Sequence, residues 1–379
     1  MTVGYVDLGE AGLDAPAPVA LPAELVEADA RYHVLLAELP IAHYLSPANI
    51  AEARAAFTAG AEAPPFTYHP ARWADDAIAA LGALRIPRAH PLGAELAAAV
   101  AETRLIALAL RDRTPERFHA LNVGMGWHVD PRDLADTPQN IRSPERATVS
   151  SAEMANVLRR ALASRGLRGW TVNQDRSMAA RVSVDPSTRG IRIAADARFR
   201  PSERVGLIAH ELDVHVRRSV NGAAQPLQLF STGLARYTPA EEGLAVTAEG
   251  HVGALDPTFE ARQKVVTAAV ALARTAGFRE VYDAVARVVG PARAWGITIR
   301  VKRGLARPGE PGVYARDVVY LQGHRAVAAR LAADPAGTLR ALYVGKVGLH
   351  HPVADWIAAG WVRPMPVPDL WTRYSSRKS

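Results

Sequence analysis

Two histidines, His210 and His215, and the glutamate Glu211 stand in the order H-E-x-x-x-H. Neutral imidazole is the commonest protein ligand for Zn²⁺. A carboxylate beside the first ligand is placed to take a proton from a metal-activated water. The zinc-peptidase pattern H-E-x-x-H is one residue shorter. At about 100° per residue, positions i and i+4 lie about 40° apart around an α-helix, but i and i+5 lie about 140° apart. A regular helix would splay the two imidazoles. The spacing therefore predicts a π-type turn, or a bend, between Glu211 and His215. Without a third ligand, the same residues would also read as two satisfied histidines in a buried helix.

The elements that must position this motif follow from local pattern. Pro201 starts the helix that carries it, and Asn221-Gly222 ends it. Upstream, Ala180–Val184 and Gly190–Ala194 alternate with period 2 around a turn at 185–189, a β-hairpin. The hairpin could cover the helix, or its edge could receive an extended peptide beside a metal. Downstream, Thr238-Pro239-Ala240-Glu241-Glu242-Gly243 has the T-x-x-E form of a capping box. In that reading Glu241 folds back on the Thr238 amide, and Glu242 becomes the third ligand. An ordinary acidic first turn is the alternative. Gly243 would let another backbone or the metal approach closely. Glu249, seven residues after Glu242, is a candidate to orient a ligand histidine, or an alternative third ligand.

The 379 residues contain no cysteine, so disulfides and thiolate metal sites are excluded and a metal must be held by His and carboxylate. The net charge of +7 invites acidic partners. The arginines are dispersed, however, without a basic arm or aromatic-interleaved stripe, so no specific nucleic-acid partner is expected. No apolar stretch reaches 18 residues and Met1–Pro18 lacks a basic region before an apolar run; a soluble, cytoplasmic protein without a membrane partner is expected.

Along the chain, residues 1–20 read as an extended lead-in. Residues 21–145 read as an N-terminal helical lobe, and 146–379 as the core that carries the metal. In the lobe, helices are expected over Ala23–Leu39, with Leu25, Val26, Tyr32, Leu35 and Leu36 inward. Others are expected from Ser46 or Pro47 to Phe57, over Trp73–Leu84 and over Leu92–Arg111, with a short one at 115–121. Pro64–Tyr68 should be extended. In the core, Ser150 and Glu153 form a capping box. Phe259–Gly277 and Phe278–Val289 read as helices, and Trp295–Val301 as an alternating β segment. A further helix is entered from Pro311–Leu321. His350 and His351 read as surface histidines, and the tail from Arg373 as frayed.

At this point the residues resemble a known family. His210-Glu211-x-x-x-His215, Asn221-Gly222, Gln225-Pro226-Leu227 and Glu241-Glu242-Gly243-Leu244-Ala245 are similar to the HExxxH and EGLA blocks of a metallopeptidase family. Its bacterial members are labelled flavohemoglobin expression-modulating QEGLA motif proteins. Its eukaryotic relatives are the microtubule-associated tyrosine carboxypeptidases, which remove the C-terminal tyrosine of α-tubulin. Arg181–Val184, Arg300–Gly304, Asp317–Gly323, Gly345-Lys346, Pro64–Tyr68 and Arg113–Phe118 resemble further blocks, so the likeness spans nearly the whole chain. The resemblance implies one Zn²⁺ held by His210, His215 and Glu242, with Glu211 as general base. The implied fold is α+β and predominantly helical, a zincin-like metallopeptidase core with a small antiparallel sheet beside the helical lobe. Asp213 departs from the small residues usual there, and would add negative charge near the site.

These readings together predict a zinc metallopeptidase, a carboxypeptidase acting on a peptide or protein C-terminus. Such an enzyme needs a cation for the terminal carboxylate. Arg300, Lys302, Arg303 and Lys346 are the candidates, with Tyr320 as an oxyanion donor. Lys302 and Arg303 stand out because they directly follow the expected β segment. The alternative from another class is a non-catalytic regulatory or binding protein with a structural zinc site, which would favour four protein ligands where three are found. A nucleic-acid-binding protein is a weaker third reading.

Overall fold

A computed structural model describes residues 17–371, apart from 139–140, 142–145, 177 and 179. Most of the lead-in and the tail from residue 372 thus lie outside the described residues. The chain is predominantly helical with two small sheets. Two long helices dominate the N-terminal part, Ala23–Ala37 and Pro91–Asp112. Leu25 and Tyr32 of the first are buried, whereas Val26 faces solvent. Pro40 separates that helix from a short turn of helix, Ile41–Leu45. The next helix starts later than expected, at Ile50–Thr58, because Asn49 is occupied elsewhere: its side chain bonds the Pro65 carbonyl and the Thr67 amide, pinning the extended 64–68 segment.

These N-terminal helices do not keep a core to themselves. Leu25, Tyr32, Leu92, Leu96 and Val100 belong to the same apolar cluster as Ala209, Val214, Leu244 and Ala245, which flank the motif residues. A second cluster joins Phe118, Leu121 and Trp127 to Val265, Val281, Val301 and Val318. Asp29 reinforces the first junction by accepting the amides of Gln228 and Leu229 at 2.6 and 3.0 Å, which places the loop after the motif helix.

The hairpin is present as Val182–Asp185 and Gly190–Ala194, antiparallel, with Val184 opposite Ile191. The sheet it belongs to is not purely antiparallel. Thr171–Asp175 adds to the other side of Gly190–Ala194 in parallel register, so the order is mixed, with Val182–Asp185 at an edge. That strand, Thr-Val-Asn-Gln-Asp, buries only Val172 fully, and its polar sequence hid it. A two-residue antiparallel pair joins Val149–Ser150 to Arg198–Phe199. The capping box at Ser150 and Glu153 is formed and opens the helix Ser151–Ser164.

The expected β segment at Trp295–Val301 is instead helix, Pro291–Lys302. Gly290, in a left-handed conformation, and Pro291 at the first helical position start it. Trp295, Thr298, Ile299 and Lys302 are buried at three- and four-residue spacing, so the burial that decides the segment has the helical period. The alternation of Ile297, Ile299 and Val301 that suggested a strand is incidental to it.

Candidate metal centre and its surroundings

The motif helix changes its winding where the spacing requires it. After one α-helical stretch, Glu203–Leu207, the chain runs as π-helix over Ile208–Val216 and returns to α-helix at Arg217–Ala223. At the end of the wide stretch the Arg217 amide reaches the Leu212 carbonyl, five residues back. Wider winding brings i and i+5 onto one face. The His210 and His215 rings consequently stand edge to face, with centroids 4.8 Å apart.

Glu242 comes from the helix Thr238–His251, which packs against the motif helix. Its Oε2 lies 3.7 Å from Nε2 of His210 and 3.7 Å from Nε2 of His215. Those separations exceed a hydrogen bond. They are close to the donor–donor spacing of about 3.4 Å expected when donors about 2.0–2.1 Å from a tetrahedral ion share it. A carboxylate oxygen of Glu211 and one nitrogen of each imidazole also lie within 4.8 Å of one another. Glu211 and Glu242 are both buried.

The two remaining imidazole nitrogens are taken by carboxylates. His210 Nδ1 lies 2.6 Å from Glu249 Oε1, and His215 Nδ1 lies 2.8 Å from Glu241 Oε1. Each ring thereby presents Nε2 to Glu242, the tautomeric arrangement of a histidine ligand oriented by a carboxylate. The nitrogen and oxygen donors, their spacing and these oriented tautomers fit a single Zn²⁺.

Glu241 does not form the capping box expected of it. The helix begins at Thr238 itself, with Tyr237 before it, and the Glu241 amide bonds the Tyr237 carbonyl. The carboxylate turns inward, because the fully buried Arg218 donates to it. Arg218 also donates to the carbonyls of Leu342, Gly345 and Val347, and so ties the motif helix to the 342–347 segment. Burial would raise the Glu241 pKa, but Arg218 first, then Lys346 and His215, hold it down at about 2. Glu242 is likewise held below the usual carboxylate range against burial, by both histidines and by Arg316, which donates to its Oε1 at 2.9 Å. Glu211 behaves oppositely: burial pushes its pKa up, against the pull of both histidines, and it forms no hydrogen bond or ion pair among the described residues.

Arg218, Arg316 and Arg165 are the residues that sequence reasoning missed. Arg218 carried a weak signal, three positions after His215 in a helix. Arg316 carried none, since it arrives from a 3₁₀ turn, Arg316–Val318, far along the chain. Arg165 grips Asp213 through two bonds, 2.6 and 2.9 Å, so the unusual acid inside the motif is neutralised by a partner rather than adding free charge to the site.

The other expected residues divide. Lys302 is fully buried and donates to the carbonyls of Ala273, Ala276 and Glu310, where it closes the end of the Phe259–Ala273 helix. It is not free to meet a substrate, and the strand that motivated it is a helix. Arg303 packs, buried, over the Tyr314 ring at 5.1 Å. Arg300 is bound to Asp317 at 2.7 and 2.9 Å. Tyr320 is half-buried, with Arg300 5.9 Å from its ring centroid. Lys346 lies 3.9 Å from Glu241. His351 is not a surface histidine: it is buried and bonds the Gly348 amide and Glu95, while its neighbour His350 is exposed. Among the described residues no helix is long and apolar enough to cross a membrane.

Comparison with known proteins agrees with the tyrosine-carboxypeptidase side of the resemblance. A family model described as microtubule-associated tyrosine carboxypeptidase matches residues 122–378. A human protein named putative tyrosine carboxypeptidase MATCAP2 is 32% identical over 124 residues, 31% of this chain and 23% of its own length. Human microtubule-associated tyrosine carboxypeptidase 1 is 32% identical over 123 residues, 31% of this chain and 26% of its own. The matched segment therefore spans about a quarter of these curated relatives. The family match, covering more than half of the sequence, includes every residue of the centre just described: this chain belongs to the microtubule-associated tyrosine carboxypeptidase family.

Proposed function

We propose that the chain is a zinc-dependent carboxypeptidase with a zincin-like core, and that it removes a residue from a peptide or protein C-terminus. The observation that carries this reading is the convergence of His210 Nε2 and His215 Nε2 on Glu242 Oε2, 3.7 Å from each, with the Glu211 carboxylate beside them. His210, His215 and Glu242 would hold the ion. A bound Zn²⁺ would supply Lewis acidity toward the scissile carbonyl and bring the pKa of water down toward about 7.

The chain's own groups do the rest. Glu211 takes the proton of the attacking water on its carboxylate and returns it to the leaving amine nitrogen. Its burial and raised pKa suit both halves of that exchange. Glu249 and Glu241 keep the two imidazoles in the required tautomer. Arg316 holds Glu242 ionised and oriented. Tyr320, close enough to Arg316 and Glu242 to feel both charges, is the donor for the developing oxyanion.

The relatives' names point to tyrosine as the first C-terminal residue to try. The test is metal analysis of the purified chain, with a screen of peptides that differ in their last residue. Glu211→Gln should retain the metal and lose cleavage. Cleavage undiminished in that variant, or a wild-type chain that takes up no zinc, would overturn the reading.

A further inference from the structure

The helix Pro91–Asp112 carries two acids in an otherwise uncharged stretch: from Pro91 to Thr103 the only charged residues are Glu95 and Glu102. Seven residues apart, they project from one face, about 20° from each other around the axis. Each meets a segment that borders the metal centre. Glu102 Oε1 accepts the Arg236 amide at 3.0 Å. Arg236 has a φ of 55°, the left-handed region that a residue with a side chain seldom adopts. Such a conformation persists only where its surroundings hold it. One residue on, the Tyr237 carbonyl accepts the Glu241 amide and opens the helix that presents Glu241 and Glu242. Glu95 meets the other segment. Nδ1 of the buried His351 accepts the Gly348 amide at 2.7 Å, so Nε2 carries the proton and donates to Glu95 Oε2 at 3.2 Å. Just before this turn, the carbonyls of Gly345 and Val347 accept from Arg218, which holds Glu241. The two segments also touch: the Leu234 amide bonds the Lys346 carbonyl at 3.0 Å, and a Cβ on Gly348 would stand 3.2 Å from the Arg236 carbonyl oxygen.

We infer that Glu102 and Glu95 are positioning residues of the metal centre: Glu102 acts through the left-handed turn at Arg236 on the helix that carries Glu242, and Glu95 acts through His351 on the segment that anchors Arg218. This rests on the zinc reading for what is positioned, and on the hydrogen bonds alone for how. Both acids lie before residue 122, where the family match begins, so the centre is braced from outside the matched span. Burial pushes the Glu102 carboxyl up to about 7, which leaves it partly protonated near neutral pH. What Arg236 requires of it is therefore an acceptor oxygen rather than a charge.

The test uses the full chain and two readouts. Amide hydrogen exchange, which needs no metal, reads the braced segments; zinc affinity, by competition with a chromophoric chelator, reads the centre. Glu102→Ala should speed exchange over 234–242 and weaken zinc binding about 3- to 10-fold, the worth of one hydrogen bond. Glu102→Gln, which keeps the acceptor, should match the wild type in both. Glycine takes the left-handed turn without strain, so in an Arg236→Gly background Glu102→Ala should change zinc affinity by less than about 2-fold. Glu95→Ala should speed exchange over 345–351. Unchanged exchange in either alanine variant, or a loss of zinc affinity equally large in the Arg236→Gly background, would overturn the inference. Exchange that responds as expected in a chain that takes up no zinc would overturn the peptidase reading and leave the two braces standing.

Discussion

Glu241 Oε1 lies 2.8 Å from His215 Nδ1, on the side of the ring opposite Glu242, while Arg218 holds the other carboxylate oxygen. The acid that precedes Glu242 in sequence thus works behind His215. It fixes which nitrogen of that ring faces Glu242, where the proposed metal would sit, and Arg218 fixes the acid. Carboxylates in this position contribute about 10- to 100-fold to metal affinity. Glu241→Ala should therefore weaken zinc binding by about that factor, measured by competition with a chromophoric chelator. Arg218→Met should lose stability by about 3 kcal/mol, because it leaves the buried Glu241 carboxylate without its hydrogen-bonded cation, with His215 and Lys346 compensating only in part. The double variant with Glu241→Gln should recover much of that loss in urea unfolding. Independent, additive losses would contradict the coupling.

The Thr238–His251 helix can present Glu242 only because it touches its neighbour, Val319–Ala333, backbone to backbone. A Cβ added at Gly243 would overlap the Gly323 carbonyl, and one added at Gly323 would overlap the Pro239 carbonyl. Neither obstacle is a flexible side chain, so the helices must separate. Gly243→Ala and Gly323→Ala should each destabilise by about 1–3 kcal/mol or more, and both should lower zinc affinity because Glu242 moves with its helix. Gly296 is the internal control: it sits in the Pro291–Lys302 helix with nothing near its Cβ position. Gly296→Ala should be neutral or stabilise by up to about 1 kcal/mol. Equal thermal shifts for all three would refute the close-crossing argument.

How much of this fold is legible in the sequence depends on the range of the interactions involved. The motif's awkward spacing dictated its own winding, and the π-helix over Ile208–Val216 is where the two imidazoles demanded it. The hairpin at 182–194 and the Ser150 capping box were equally legible, because each is set by neighbours in the chain. Gly243 was read as a point of close approach, and the approaching backbone is that of Gly323. What local pattern misassigned was the use of charge. Glu241 follows the rule for a capping box, but Arg218, 23 residues away, is a stronger partner than the Thr238 amide. Asp213 looked like a free negative charge until Arg165, 48 residues away, closed on it. Lys302 was a candidate because it follows the expected β segment, yet the carbonyls of Ala273 and Ala276 at the end of another helix, and of Glu310, hold it in the core. Trp295–Val301 alternates like a strand while its burial follows a helix. Ion-pair partners set by tertiary contact leave no periodic trace in a single sequence.

Acid stability offers a test away from the metal. Asp256 sits before the Phe259–Ala273 helix and accepts the Thr258 amide and hydroxyl, both at 2.7 Å, while Arg200 donates to its other oxygen and Arg262 lies 3.4 Å from it. Burial alone would raise its pKa; the Thr258 bonds, then Arg200 and Arg262, outweigh it and hold the value at about 2. A carboxyl whose folded pKa lies below its unfolded value of about 3.9 stabilises the fold above that value, and the contribution fades as pH falls toward the folded pKa. Asp256→Asn should therefore melt below the wild type by a constant margin from pH 7 to about pH 5. The margin should narrow between about pH 4 and pH 2, as the wild-type carboxyl takes up its proton. Thermal unfolding followed by circular dichroism across that range checks the sign. A margin that stayed constant to pH 2, or widened, would mean that the Asp256 carboxylate is not held ionised by Thr258 and Arg200.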